Sequence, residues 1–259
     1  MNETLNELWT TIHDQRIFAR ISQDVVAGKK RGATVVIVHG LGVSGLYMVP
    51  MALLLARHCR VLVPDLPGFG ESSKPSRALN MIELADLLAA WMRIHKLQGA
   101  TLIGHSMGTQ VIVNLILRHP ELVERAILVA PTIDAQRRTI HQQVGRLLLD
   151  AVREPFSLLP LVLRDYLKAG FRRTYQTFRY ATIDRTEEKL SRLNLPTMVI
   201  RGEHDPVVPQ SWANTVAELI PGSHLMVIQK AAHAVNYSAP KELALLILTF
   251  LNDPGSNAY

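Results

Sequence analysis

A serine, an aspartate and a histidine can together turn an alcohol into a nucleophile, and this 259-residue chain places one of each just beyond an apolar run. Ser106 is the centre of Gly104-His105-Ser106-Met107-Gly108. An apolar stretch, 100–103, precedes it, and a helix-like pattern over 110–116 follows. This is Gly-x-Ser-x-Gly in a strand–turn–helix setting. A sharp turn there strains the serine backbone and lifts its hydroxyl clear of the sheet. Side chains two residues to either side would collide, so glycine is expected at both. The helix after the turn aims its first N–H groups at the point where negative charge would develop. Asp205 lies in a loop held by Pro206 and Pro209 after the apolar run 197–201, where a carboxylate can orient a histidine and stabilise its charged form. His233 comes after the last strand-like run, between the small residues Ala232 and Ala234.

The elements that must position these residues can be read from hydrophobic periodicity. Two short strands are expected at 9–12 and 16–21 around a turn at His13-Asp14-Gln15, and a buried strand at 34–38. A helix over 46–58 and a strand at 61–63 lead to the turn-rich loop 65–72. Asn80, with Glu83 three residues on, predicts a capping box on a helix that runs to about residue 95. After the Ser106 strand and helix comes a strand at 126–129. The alternation then stops: 132–194 reads as helical, divided by Pro155 and Pro160. It resumes with a strand at 197–201, a helix at 210–219, a strand at 224–228 and a helix at 240–251. Alternation of this kind implies an α/β fold, a mostly parallel sheet of about eight strands covered by helices on both faces. The expected domains are a core of 1–131 and 195–259, with 132–194 a helical cap inserted after the sixth strand. Such an insert lies over the carboxyl ends of the strands, where ligands bind in such sheets.

Composition narrows the function. With 48% hydrophobic residues there is enough material for a large core without disulfides. The single cysteine, Cys59, cannot form an internal bridge. The first 22 residues carry charges throughout and lack a signal-like apolar core, so a cytoplasmic location is expected, and no run is long enough for a membrane span. The histidines are scattered without ligand spacing, so neither metal nor organic cofactor is expected. The net charge of +6 has one source: residues 135–192 carry ten arginines and two lysines against six acidic residues, a net of +6. No nucleic-acid motif accompanies them. The basic excess suits an acidic substrate, such as an acyl carrier protein or a coenzyme A thioester, although it also suits a solvated helix face.

The order Ser106, Asp205, His233, each after its own strand, together with His39-Gly40-Leu41-Gly42 and the stretch 64–72, resembles an α/β-hydrolase-fold serine hydrolase of the capped, esterase- or lipase-like kind. The resemblance covers nearly the whole chain. It implies that Ser106 is the nucleophile, His233 the general acid/base and Asp205 its partner. The N–H groups of Leu41 and Met107 would form the oxyanion hole, and His39, Gly40, Gly42 and His105 would border the substrate. Asp65 would hold a turn. Thr109 stands where many members have a further glycine and should pack tightly against the adjoining strand. Asp134 is the alternative acid. Aspartate-nucleophile dehalogenases and epoxide hydrolases do not fit Ser106.

The reaction implied is hydrolysis of a small or medium carboxylic ester, lactone or thioester. The other readings are a C–C bond hydrolase of aromatic ring-cleavage products and a non-catalytic binding member of the fold. Leu147, Leu148, Leu158, Leu159, Leu161, Phe171, Tyr175 and Phe178 are expected to line the pocket or the cap's own core.

Overall fold

A computed structural model describes residues 4–23 and 32–253. Eight strands form one sheet: β1 (Leu5–Ile12), β2 (Gln15–Ser22), β3 (Thr34–Val38), β4 (Arg60–Pro64), β5 (Ala100–His105), β6 (Val123–Val129), β7 (Thr197–Gly202) and β8 (His224–Ile228). Their spatial order is β1-β2-β4-β3-β5-β6-β7-β8. The first two strands form an antiparallel hairpin, in register from Leu5↔Ser22 to Ile12↔Gln15, and β2 pairs antiparallel with β4. All other pairings are parallel. The hairpin turn has two residues, His13 and Asp14, and Gln15 already belongs to β2. Every residue of β5 and β7 is buried, as expected for central parallel strands covered on both faces.

Helices α1 (Val49–Leu55), α2 (Met81–Ile94) and α3 (Met107–Arg118) alternate with the first strands of the parallel array, and α8 (Gln210–Leu219) and α10 (Pro240–Asn252) with the last. α2, α3 and α8 cover one face of the sheet; α1 and α10 cover the other. α1 is shorter than the expected 46–58. Pro50 lacks an N–H and sits in its first turn, and a 3₁₀ turn at Gly45–Met48 leads into it. The α2 capping box is present: Asn80 Oδ1 accepts from the Ile82 and Glu83 N–H groups, and the Glu83 carboxylate accepts from Asn80 N–H.

Between β6 and β7 the described chain is helical: α4 (Ile140–Ala151), α5 (Leu159–Ala169), α6 (Phe171–Ile183) and α7 (Glu187–Leu190). Pro155 does separate α4 from the 3₁₀ turn at Phe156–Leu158 that leads into α5. Pro160 does not divide the segment, because it occupies the first turn of α5, where its missing N–H is harmless. The second break is Gly170 at φ 84°, a backbone conformation open to glycine but costly for other residues. The four-residue helix α9 (Val235–Ser238) comes directly after the His233 loop.

Candidate active site

Ser106 stands between β5 and α3 at φ 53°, ψ −123°, one of the few non-glycine residues with positive φ. Its neighbours leave it little choice. A β-carbon on Gly104 would lie 2.7 Å from the Gly108 carbonyl group, and one on Gly108 would lie 2.4 Å from the Val38 carbonyl oxygen of β3. Both glycines therefore let α3 start directly against the sheet. Thr109 is buried and donates its hydroxyl to the Ser106 carbonyl at 2.6 Å, so it ties the turn together besides filling space. Gly40 also packs tightly, though less so: a β-carbon there would lie 3.2 Å from the Ser106 β-carbon.

The three residues separated by up to 127 positions meet. His233 Nε2 lies 3.0 Å from Ser106 Oγ, and His233 Nδ1–H donates to Asp205 Oδ2 at 2.8 Å. The other Asp205 oxygen accepts from the Val207 and Val208 N–H groups at 2.7 and 2.9 Å. Arg201 binds the carbonyls of Glu203, Asp205 and Val208, which fixes the loop from below. Gly202 admits the His233 loop, since a β-carbon there would lie 2.2 Å from the Ala232 carbonyl oxygen. Asp134, the alternative acid, pairs instead with Arg146 at 3.0 Å and accepts from Gln136 N–H.

Other predicted site residues divide into two groups. Gly40, Leu41, His105, Ser106, Met107 and His233 line one cavity of about 400 Å³. His39 and Gly42 do not. His39 is wholly buried, with Nε2 accepting from Leu66 N–H and Nδ1 donating to the Gly40 carbonyl; burial lowers its pKa. It therefore joins the β3 loop to the β4 loop and has no ring nitrogen left for substrate. Gly42 meets the Tyr166 ring, 2.5 Å from where its β-carbon would be. His105 borders the cavity but also supports His233, donating from Nε2 to its carbonyl at 3.0 Å. Burial, then the charge of His233, pushes His105 down to about 3, so it is neutral. Asp65 is the turn residue expected: its carboxylate holds Arg20 and the Gly45 and Glu71 N–H groups.

Of the eight apolar residues expected at the pocket, Leu147, Leu158, Leu159 and Phe178 line it. Leu161 packs against the core on the α1 side. Leu148, Phe171 and Tyr175 are exposed.

Two residues that no sequence motif marks complete the site. Asp150, near the end of α4, accepts the His233 backbone N–H at 3.1 Å, and Glu154 accepts the Ala234 N–H at 2.6 Å. The only sequence signal was their spacing of four in a basic segment. Burial pulls the His233 ring down, but Asp205 first, then Asp150 and Glu154, outweigh it and raise its pKa to about 9. Burial raises Glu154 to about 7, with Asp150 adding to the effect.

If His233 serves as a general base, it must be neutral to take a proton, so kcat/KM should rise with pH and level off above about 9. Glu154, raised to about 7, is mostly anionic over the upper part of that rise. Glu154→Gln removes a charge that favours the imidazolium, so the limb should move to lower pH in a pH–rate series. An unmoved limb would show that Glu154 does not act on His233.

The chain belongs to the alpha/beta hydrolase family, which it matches over residues 35–244. It is thus a hydrolase of α/β fold. It is 27% identical over 242 residues to the putative carbamate hydrolase RutD of Yersinia enterocolitica, covering 84% of this chain and 87% of that protein. It is 24% identical over 251 residues to the carboxylesterase YbfK of Bacillus subtilis, with 88% and 83% covered. Among solved structures, the enol-lactonase of Burkholderia xenovorans superposes with a TM-score of 0.76 at 20% identity, covering 95% of this chain and all of that one.

Proposed function

We propose that this protein is a serine hydrolase that cleaves a carboxylic ester or lactone through an acyl-enzyme. The observation that carries the reading is the unbroken path from Ser106 Oγ through His233 to Asp205, with Ser106 and His233 bordering a single apolar cavity. His233 Nε2 takes the Ser106 proton as Oγ attacks the carbonyl carbon. The N–H groups of Leu41 and Met107 receive the negative oxygen, each worth about 3 kcal/mol to the transition state. The tetrahedral species collapses, the leaving alkoxide takes the proton from His233, and Ser106 carries the acyl group. Water, deprotonated by the same nitrogen, then releases the acid and restores the serine.

In this reading residues 132–194 act as a cap, and α4, α5 and α6 supply the wall of the cavity opposite Ser106. Among the described residues no lysine or arginine lines that cavity, and its acidic groups are Asp150 and Glu154. An uncharged ester fits it better than the acidic product of aromatic ring cleavage or the anionic head of a coenzyme A thioester. A fluorophosphonate probe tests the nucleophile directly. The wild-type protein should be labelled on one serine and the Ser106→Ala protein not at all; labelling that persists in the variant would refute the assignment.

A further inference from the structure

The outer face of the segment between β6 and β7 is apolar where a surface should be polar. Large apolar side chains stand exposed at every fourth residue from Val144 to Phe156, and again at every fourth from Leu159 to Tyr175. Phe156 is 93% exposed, and Val152 and Phe171 are each 80% exposed. Val144 and Leu148 thus share one face of α4, Leu159, Leu163 and Leu167 one face of α5, and Phe171 and Tyr175 one face of α6, while Val152 and Phe156 stand in the connection between α4 and α5. The charges on the same stretch have one sign. Between residues 140 and 180 the acidic residues are Asp150, Glu154 and Asp165; two are buried and Glu154 is half-buried. The exposed charges are Arg153, Arg164, Arg172 and Arg179. Three of these come directly after an exposed apolar residue in sequence: Val152-Arg153, Leu163-Arg164 and Phe171-Arg172.

This face also meets the cavity, since Val152, Phe156 and Leu159 are both exposed and part of its lining. We infer that the cap docks by this face onto an anionic lipid bilayer, with the apolar side chains in the headgroup–acyl boundary and the arginines on lipid phosphates. No helix among the described residues is long and apolar enough to cross a membrane, so the attachment is peripheral. A second copy of this chain would set like charges against each other across a two-fold axis. An acidic protein partner would match the arginines but leave aromatic and leucine side chains such as Phe156 and Leu163 against a polar surface. A bilayer satisfies both features. Docking would place the cavity mouth at the membrane, where an apolar ester is most concentrated.

The test is co-sedimentation of the full chain with vesicles of phosphatidylglycerol and phosphatidylcholine, and with phosphatidylcholine alone. Binding is expected on the anionic vesicles, weaker by at least about tenfold without phosphatidylglycerol or in high salt. Leu163→Ser with Leu167→Ser, and separately Arg172→Glu with Arg179→Glu, should each lower it by a similar factor. These side chains lie outside the cavity lining, so Tm and hydrolysis of a water-soluble ester should not change. Wild-type protein that stays in the supernatant overturns the inference, and so do variants that bind as wild type does. A concentration-dependent dimer, or binding to an acyl carrier protein, without vesicle binding would reassign the face. Vesicle binding needs no catalysis, so it can fail while the Ser106 assignment stands, and the reverse.

Discussion

Replacing Ser106 by alanine is expected to lower kcat on a short p-nitrophenyl ester by about a millionfold, with the fold intact. The size follows from the proposed role: without Oγ no acyl-enzyme can form, and His233 has no proton to accept. Survival of the fold has a structural basis. The main chain at Ser106 is held by its N–H to the Val129 carbonyl and by its own carbonyl, which accepts from Thr109, and alanine keeps both. The φ of 53° costs alanine about what it costs serine, and the lost hydroxyl contacts one side chain, His233. Circular dichroism and Tm should therefore match the wild type while hydrolysis disappears. Activity within tenfold of wild type would mean that Ser106 is not the nucleophile.

Asp205→Asn should cost about 10⁴-fold in kcat, more than removal of one charge suggests. Asp205 Oδ1 accepts two backbone N–H groups, from Val207 and Val208. Asparagine can keep them only by placing its oxygen there. Its NH₂ then faces His233 Nδ1 and donates to it, so the ring proton moves to Nε2. That nitrogen can no longer take the proton from Ser106. The lost carboxylate also removes the charge that contributes most to raising His233. The measurement is kcat and KM at several pH values beside an Asp134→Asn control, which should stay near wild type because Asp134 is paired with Arg146. A loss under tenfold at Asp205, or a severe loss at Asp134, would reverse the assignment of the acid.

Much of the fold and the central three residues were legible because their signals are local. Strand runs such as 197–201 and the Asn80–Glu83 capping box need only near neighbours, and so do the glycines around Ser106. The order of Ser106, Asp205 and His233, each after its own strand, implied convergence at one edge of a parallel sheet. His39 and Gly42 do not line the cavity, because adjacency to Leu41 in sequence does not reveal that Leu66 N–H occupies the His39 ring or that the Tyr166 ring closes over Gly42. The helices of 132–194 were legible as helices, but their orientation was not. Periodicity marks an apolar stripe, whereas the opposing surface decides whether that stripe is covered. Leu147 thus lines the cavity while Leu148, one residue on, faces solvent.

By itself, then, the amino-acid sequence determined what depends on backbone sterics and short-range periodicity: the strained serine turn, the alternating elements and the parallel sheet. Tertiary structure alone decided the hydrogen bonds that span 80 residues and more, by which Asp150 and Glu154 hold the His233 loop and lend it negative charge. It also decided which apolar faces of the helices in 132–194 line the cavity and which stay open. The physical reason is the same in both cases. A carboxylate's partner and a helix's covered face are set by distances between chain segments, and those exist only once the sheet has brought the segments together.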